Sequence, residues 1–155
     1  LGKSTENGEL YVLELTTDGT DHKIISKVEV GLNPSAFSIS PDGKMLAAVS
    51  ASKSLSSWDM AGAGNGSLLS LYNLDATGSL TKAAEARIDG ILAQGVVFDK
   101  EGNNLAVNIY EYMDYGNRNG GIEFWSISKG ESMSLKKQAS RIGVERGVHT
   151  LQVIH

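Results

Sequence analysis

Apolar and polar residues alternate along most of this chain in short bursts, each closed by a cluster of turn-forming residues. The segment Asn33–Ser50 shows the pattern most plainly. In Ala36–Ser40, Phe37 and Ile39 alternate with Ser38 and Ser40, the period of two expected of a half-buried strand. A turn follows on Pro41-Asp42-Gly43: proline presets φ, aspartate bonds back to the backbone, and glycine accepts a positive φ. Met45–Ser50 then predicts a second strand. The same pattern returns 59 residues later, with Glu101-Gly102 for Asp42-Gly43 and Leu105-Ala106 for Leu46-Ala47. No segment carries the i, i+3, i+4, i+7 apolar spacing of a capped helix of three turns.

The repeat extends beyond this hairpin. Gly8–Leu15, with the turn Thr16–Thr20, resembles Ser67–Leu74 with Asp75–Ser79, and Gly120–Ile127 with Ser128-Lys129-Gly130 makes a third copy. A polar–apolar strand comes after each, at Lys23–Val30, Leu80–Ile88 and Leu135–Ile142. Beyond those lie Ala36–Ser40, Gly95–Asp99 and Thr150–Ile154. Four short antiparallel strands at a period of 53 to 59 residues predict an all-β fold of β-propeller blades around a central channel. A β-sandwich also has many short strands, but it does not place the same turn at the same phase. With strands labelled A to D from the channel outward, the chain reads C, D, then ABCD twice, then a lone A. A partial blade over 1–30, blades over 31–88 and 89–142, and a closing inner strand at 149–155 are expected, about two and a half blades. An open arc leaves two blade faces uncovered. The remainder of the propeller is therefore expected from an amino-terminal portion of the polypeptide or from a second chain. Head-to-tail self-assembly does not supply it, because it joins A to C with no B between.

Composition narrows the function classes. The 155 residues suffice for one domain with a real core, and the 18 glycines against 2 prolines suit a turn-rich β fold. A net charge of −4 gives no electrostatic footprint for nucleic acid or an anionic membrane. No apolar run approaches the ~18 residues of a membrane span. The absence of cysteine excludes disulfides and thiolate metal sites. The chain opens Leu-Gly-Lys, which is read as a processing boundary with any targeting segment upstream.

GLNPSAFSISPDGKMLAAVSAS, the GSLLSLYNLDATGSLTKAAE hairpin and the ending RGVHTLQVIH together resemble the lactonase-like and YVTN-type β-propellers. Blades of that family commonly carry an NP, an SPDG turn, and a strand ending in a D-x-x-G-type turn. The resemblance covers nearly the whole chain, through turn and core residues that specify a blade and not its chemistry. It implies an exported protein, periplasmic or secreted. The family includes propeller hydrolases of sugar lactones, related lactonising enzymes and many exported proteins of unknown role.

In propellers, ligands bind at the mouth of the channel. The segments expected there are Gly31–Ser35, Asp89–Gln94 and Gly143–His149, with the longer loops Ala51–Asn65 and Glu111–Gly120. The first long loop carries Lys53, Trp58 and Asp59; Trp58 either packs on a neighbour or offers a platform to a ring-shaped ligand or a partner. Tyr110 and the second loop bring Glu111, Tyr112, Asp114 and Tyr115, types that supply area and directional bonds at recognition surfaces. Glu111, Asp114 and Asn108 are oxygen donors suited to a hard cation, but no EF-hand spacing accompanies them and no metal is assigned. Glu145, Arg146 and His149 are the catalytic candidates: lactone hydrolysis needs a base to activate water and a cation at the oxyanion. In the plainer reading His149 bonds the strand start and Glu145 pairs with Arg146. No G-x-S-x-G elbow, phosphate loop, haem ligand set or quinone precursor is present, so no cofactor is expected. The sequence thus points to a lactonase-like propeller binding a small polar molecule at its channel mouth, with lactone hydrolysis as the candidate reaction. The alternative is a non-catalytic scaffold that recognises a protein or carbohydrate partner through its long loops.

Overall fold

The computed structural model describes residues 6–55, 66–112 and 119–154. Among them ten strands form three antiparallel sheets. Strands β1 (Asn7–Glu14) and β2 (Lys23–Leu32) make a hairpin. Strands β3 (Pro34–Ile39), β4 (Met45–Ser50), β5 (Ser67–Leu74) and β6 (Leu80–Ile88) make a four-stranded meander. Strands β7 (Gly90–Phe98), β8 (Asn104–Tyr112), β9 (Asn119–Lys129) and β10 (Met133–Glu145) make a second. One turn of 3-10 helix, Ser52–Leu55, follows β4. The fold is all-β, and its four-stranded sheets are propeller blades with β3 and β7 as their first strands.

Local chemistry sets the turns. Between β3 and β4, Asp42 accepts from the Ser40 hydroxyl at 2.6 Å and the Lys44 amide at 3.1 Å, while Gly43 sits at φ +71°. Between β7 and β8 the aspartate has moved to the strand end. Asp99 accepts from the Asn103 and Asn104 amides and the Asn104 side chain, with Gly102 at φ +66°. Asp75 accepts from the backbone of Thr77 and Ser79 and so closes the β5–β6 turn.

The core is built on both faces of the middle sheet. All six residues of β4 are buried. Met45, Ala47 and Val49, with Leu69 and Leu71 of β5, pack against Val96, Phe98, Leu105, Val107, Ile109 and Trp125 of the third sheet. Leu46 and Ala48, with Tyr72 and Leu80, pack instead on Val30, Val28, Leu10 and Val12 of the hairpin. The run MLAAV lacks a polar alternation because neither of its faces meets water.

Each passage from an outer strand to the next inner strand turns on a residue with positive φ. Asn33, Leu92 and Gly147, 59 and 55 residues apart, stand at φ +55°, +52° and +106°. Asparagine and glycine adopt this region readily, whereas Leu92 is strained there. The segment around it is held by the Ser67 hydroxyl, which accepts from the Ala93 amide and donates to the Gly90 carbonyl, both at 3.1 Å. These corners explain why the expected mouth loops Gly31–Ser35 and Asp89–Gln94 are almost absent. Only Asn33 separates β2 from β3, and only Asp89 separates β6 from β7.

Two expectations change. Phe37 and Ile39 do not face a core: they are 57% and 50% exposed, and Ser40 is buried on the other side of β3. Their face lies on the hairpin side, where the first sheet offers two strands and not four. The closing inner strand 149–155 also forms no ladder over its described residues, 149–154. A strand needs a paired neighbour, and none of the described strands stands beside it. The tail nevertheless follows its corner at Gly147 and lays the Leu151 amide against the open side of Gly95 in β7.

Leu69→Ala is expected to cost about 2–5 kcal/mol in denaturant unfolding, because the sheets on either side cannot collapse into the cavity. Burial alone would raise the Asp99 pKa, but the bonds from Asn104, Asn103 and Gly102 outweigh it and hold the carboxyl below its ordinary value. A lowered pKa stabilises the fold above the unfolded value and loses that contribution as pH falls through the folded one. Unfolding free energy should therefore drop below about pH 4, and Asp99→Asn should flatten that slope.

Candidate functional site

In both four-stranded sheets the second-to-third-strand connection and the outer-to-inner corner lie at the same edge. At that edge of the third sheet, β8 ends on Tyr110, Glu111 and Tyr112, and β10 gives way to Arg146 and the Gly147 corner. The Gly147 amide donates to the Tyr110 carbonyl at 3.3 Å, which ties the corner to the strand. The Nε of Arg146 then meets Oε2 of the buried Glu111 at 2.7 Å. The guanidinium carbon lies 5.2 Å from the Tyr110 ring centroid, within cation–π range. His149 closes the group edge-on, its ring centroid 5.9 Å from that of Tyr110 at 72°. Arg146 stays 42% exposed, so part of its donor fork faces solvent.

Four candidates from the sequence, Tyr110, Glu111, Arg146 and His149, thus form one cluster. Glu145 does not pair with Arg146; it ends β10 opposite Asn119, and the arginine turns to Glu111. Lys53 is exposed on the 3-10 turn that follows β4. Trp58, Asp59, Asp114 and Tyr115 lie outside the described residues. Among the described residues, no three His, Asp or Glu side chains gather as cation ligands. Asn108, a possible cation donor in the sequence, is fully buried, its Oδ1 crowding the same open side of Gly95 as the tail. His22 accepts from the Thr16 amide at 3.2 Å and serves the β1–β2 turn.

Tyr112 departs from its expected role. Its ring is buried over Gly121, where a Cβ would fall 2.7 Å from a ring carbon, and its hydroxyl donates to Oε1 of Glu123 at 3.0 Å. The same oxygen accepts from Lys137 at 2.5 Å, and the Arg141 guanidinium lies 4.2 Å above the Tyr112 ring. Burial, then the charge of Glu123, pushes the phenol pKa far above its ordinary value, so it remains a proton donor at physiological pH. This buried polar group was not singled out from the sequence. One signal was available: Glu123 shares a strand face with Trp125 and Ile127, which places a carboxylate on an apolar stripe.

The comparisons bear on the fold. No protein-family model matches the chain, and none of the curated proteins matches it in sequence. Among solved structures, the periplasmic gluconolactonase PpgL of Pseudomonas aeruginosa aligns with a TM-score of 0.63 at 15% identity, over 88% of this chain and 36% of that one. A 6-phosphogluconolactonase-like protein of Bacteroides fragilis aligns at 0.65 and 19% identity, over 90% and 34%. A hypothetical selenium-binding protein of Sulfolobus tokodaii aligns at 0.54 and 10% identity, over 88% and 36%. The chain folds as β-propeller blades. It spans about a third of the length of each of these structures, with the lactonase-like propellers among its neighbours. Among the described residues, no helix is long and apolar enough to cross a membrane.

Lys137→Met should cost on the order of 3 kcal/mol, measured by denaturant unfolding, because it strands the buried Glu123 carboxylate without its cation. The raised phenol pKa adds a second test. Its stabilisation is complete below the unfolded tyrosine value and is lost as pH rises through the folded one. Wild-type stability should therefore fall above about pH 10, and Tyr112→Phe should lose that alkaline dependence.

Proposed function

We propose that the edge cluster of Tyr110, Glu111, Arg146 and His149 binds a small polar carbonyl compound, and that a sugar-type lactone is its substrate. The observation that carries this reading is the 2.7 Å Arg146–Glu111 pair, which fixes a half-exposed guanidinium beside His149 through their shared contact with Tyr110. The lactonase names of two structural neighbours support the choice of substrate class.

The proposed chemistry is one hydrolysis. His149 accepts a proton from water as its oxygen bonds to the lactone carbonyl carbon. Arg146 stabilises the negative charge that develops on the carbonyl oxygen, with Glu111 holding the guanidinium in place. The ring C–O bond then breaks, and the departing oxygen takes the proton to leave a hydroxy acid. Tyr110 offers a face against which a sugar ring can pack. Export to the periplasm or beyond belongs to this proposal, supported by the periplasmic source of one neighbour.

A second reading uses the same half-buried Tyr110 and exposed Arg146, residue types common at recognition surfaces. In it the chain binds a carbohydrate or protein partner without turnover. Release of acid from glucono-δ-lactone, followed by pH-stat, separates the two. Hydrolysis should fall roughly 100-fold or more in kcat/KM for His149→Ala and Arg146→Ala with folding intact, and less for Glu111→Gln. Saturable binding of the lactone without acid release would favour the second reading. Neither binding nor turnover would remove both.

A further inference from the structure

We propose that the cleft between the β1–β2 hairpin and the second sheet is a second ligand site, which takes a hydroxylated aromatic ring carrying a carboxylate. The cleft has a volume of about 570 Å³, within the range of small-molecule sites. Gly31 and Leu32 of β2 line it from the hairpin, and Leu68 of β5 with Lys82 and Glu85 of β6 line it from the second sheet. Lys53 of the 3-10 turn lines it as well. The cluster of Tyr110, Glu111, Arg146 and His149 contributes no residue to it.

The repeat supplies the outline of the ligand. Lys82 lies opposite Tyr72 in the β5–β6 ladder as Lys137 lies opposite Trp125 in the β9–β10 ladder. Two residues before those aromatics stand Ser70 and Glu123. Each lysine bonds a carboxylate at this spot. Lys137 bonds Glu123, and Lys82 bonds Oε2 of Glu85, which also accepts from the Ser70 hydroxyl at 3.1 Å. Between the second and third sheets the space before the carboxylate is filled: the Tyr112 ring lies over Gly121, and its hydroxyl donates to Glu123. Between the hairpin and the second sheet the corresponding space is the open cleft. Lys53 stands 59 residues before Tyr112, the spacing of the Asn33 and Leu92 corners, and Leu68 takes the repeat position of Gly121.

A phenol entering the cleft finds what Tyr112 finds, a carboxylate held by a lysine and able to accept from its hydroxyl. The chain's own phenol at this junction does not take that place. The Tyr72 hydroxyl donates to the Glu29 carbonyl at 3.3 Å, and Oε1 of Glu85 makes no bond among the described residues. Leu32 and Leu68 offer apolar contact to a ring. Lys53 adds a cation with no ion-pair partner among the described residues, which selects an anionic group on the ring.

Calorimetric titration of the full chain with 4-hydroxybenzoate tests the assignment. One equivalent should bind saturably, with a Kd of about 1 mM or tighter. Benzoate, which lacks the hydroxyl, should bind roughly tenfold more weakly. Glu85→Ala and Lys53→Met, both at exposed positions, should each weaken 4-hydroxybenzoate by a similar factor with the fold intact. Lys53→Tyr combined with Leu68→Gly rebuilds the Tyr112–Gly121 arrangement inside the cleft and should abolish binding; if that pair unfolds, the two exposed-residue variants carry the test. No saturable binding by the folded chain up to about 10 mM overturns the proposal. Equal affinity for benzoate overturns it too, since Glu85 then reads no hydroxyl. Binding that Glu85→Ala and Lys53→Met leave unchanged, and that Arg146→Ala removes instead, would place the ring at the Tyr110 cluster and likewise overturn it.

Discussion

Because all six residues of β4 are buried, the second sheet requires a packed neighbour on each of its faces. That requirement organises the molecule. Met45, Ala47 and Val49 demand the third sheet on one side, and Leu46 and Ala48 demand the hairpin on the other. Sheet stacking, rather than any single turn or ion pair, is what the sequence buries its apolar residues to achieve. Some polar side chains in the interior are bonded in place, as Glu123 is by Tyr112 and Lys137, whereas the side-chain amide of the fully buried Asn108 has no hydrogen-bond partner among the described residues.

The same stacking places the candidate chemistry. An outer strand must hand the chain to the next inner strand across one edge of the stack, and it does so through left-handed corners at Asn33, Leu92 and Gly147. At the last corner the hand-over brings Arg146 and His149 down upon the end of β8, where Tyr110 and Glu111 wait. A group of residues separated by more than thirty positions in sequence is thereby assembled from two strand ends. The neighbouring four polar side chains owe their proximity to the repeat and not to a local motif.

Much of this architecture was legible before any coordinates. The Pro41-Asp42-Gly43 turn, its echo at Glu101-Gly102 and the recurrence of strand patterns gave the four-strand unit, and the described strands fall near where those signals placed them, except that Thr150–Ile154 forms none. Burial was less legible. Alternation reveals that a strand has two kinds of face, but Phe37 and Ile39 show that it does not reveal whether a partner covers the apolar one. The corners were missed because a leucine at φ +52° carries no compositional mark, so Asp89–Gln94 read as loop where it is mostly strand. In the site, residue type identified Arg146, His149, Tyr110 and Glu111. Only geometry could pair Arg146 with Glu111 instead of its neighbour Glu145, and turn Tyr112 inward.

The one-residue links between sheets have a mechanical meaning. A single residue spans at most about 3.8 Å between successive Cα atoms, so β6 and β7 cannot part without unzipping the strand ends that Asp89 joins. Ser67 bonds across the same junction to Gly90 and Ala93. The second and third sheets therefore have no slack in which to open like a book. Thermal fluctuations large enough to wet the core between them must melt both together, which makes the eight strands one cooperative folding unit, and Asn33 ties the β1–β2 hairpin to that unit by a link of the same length.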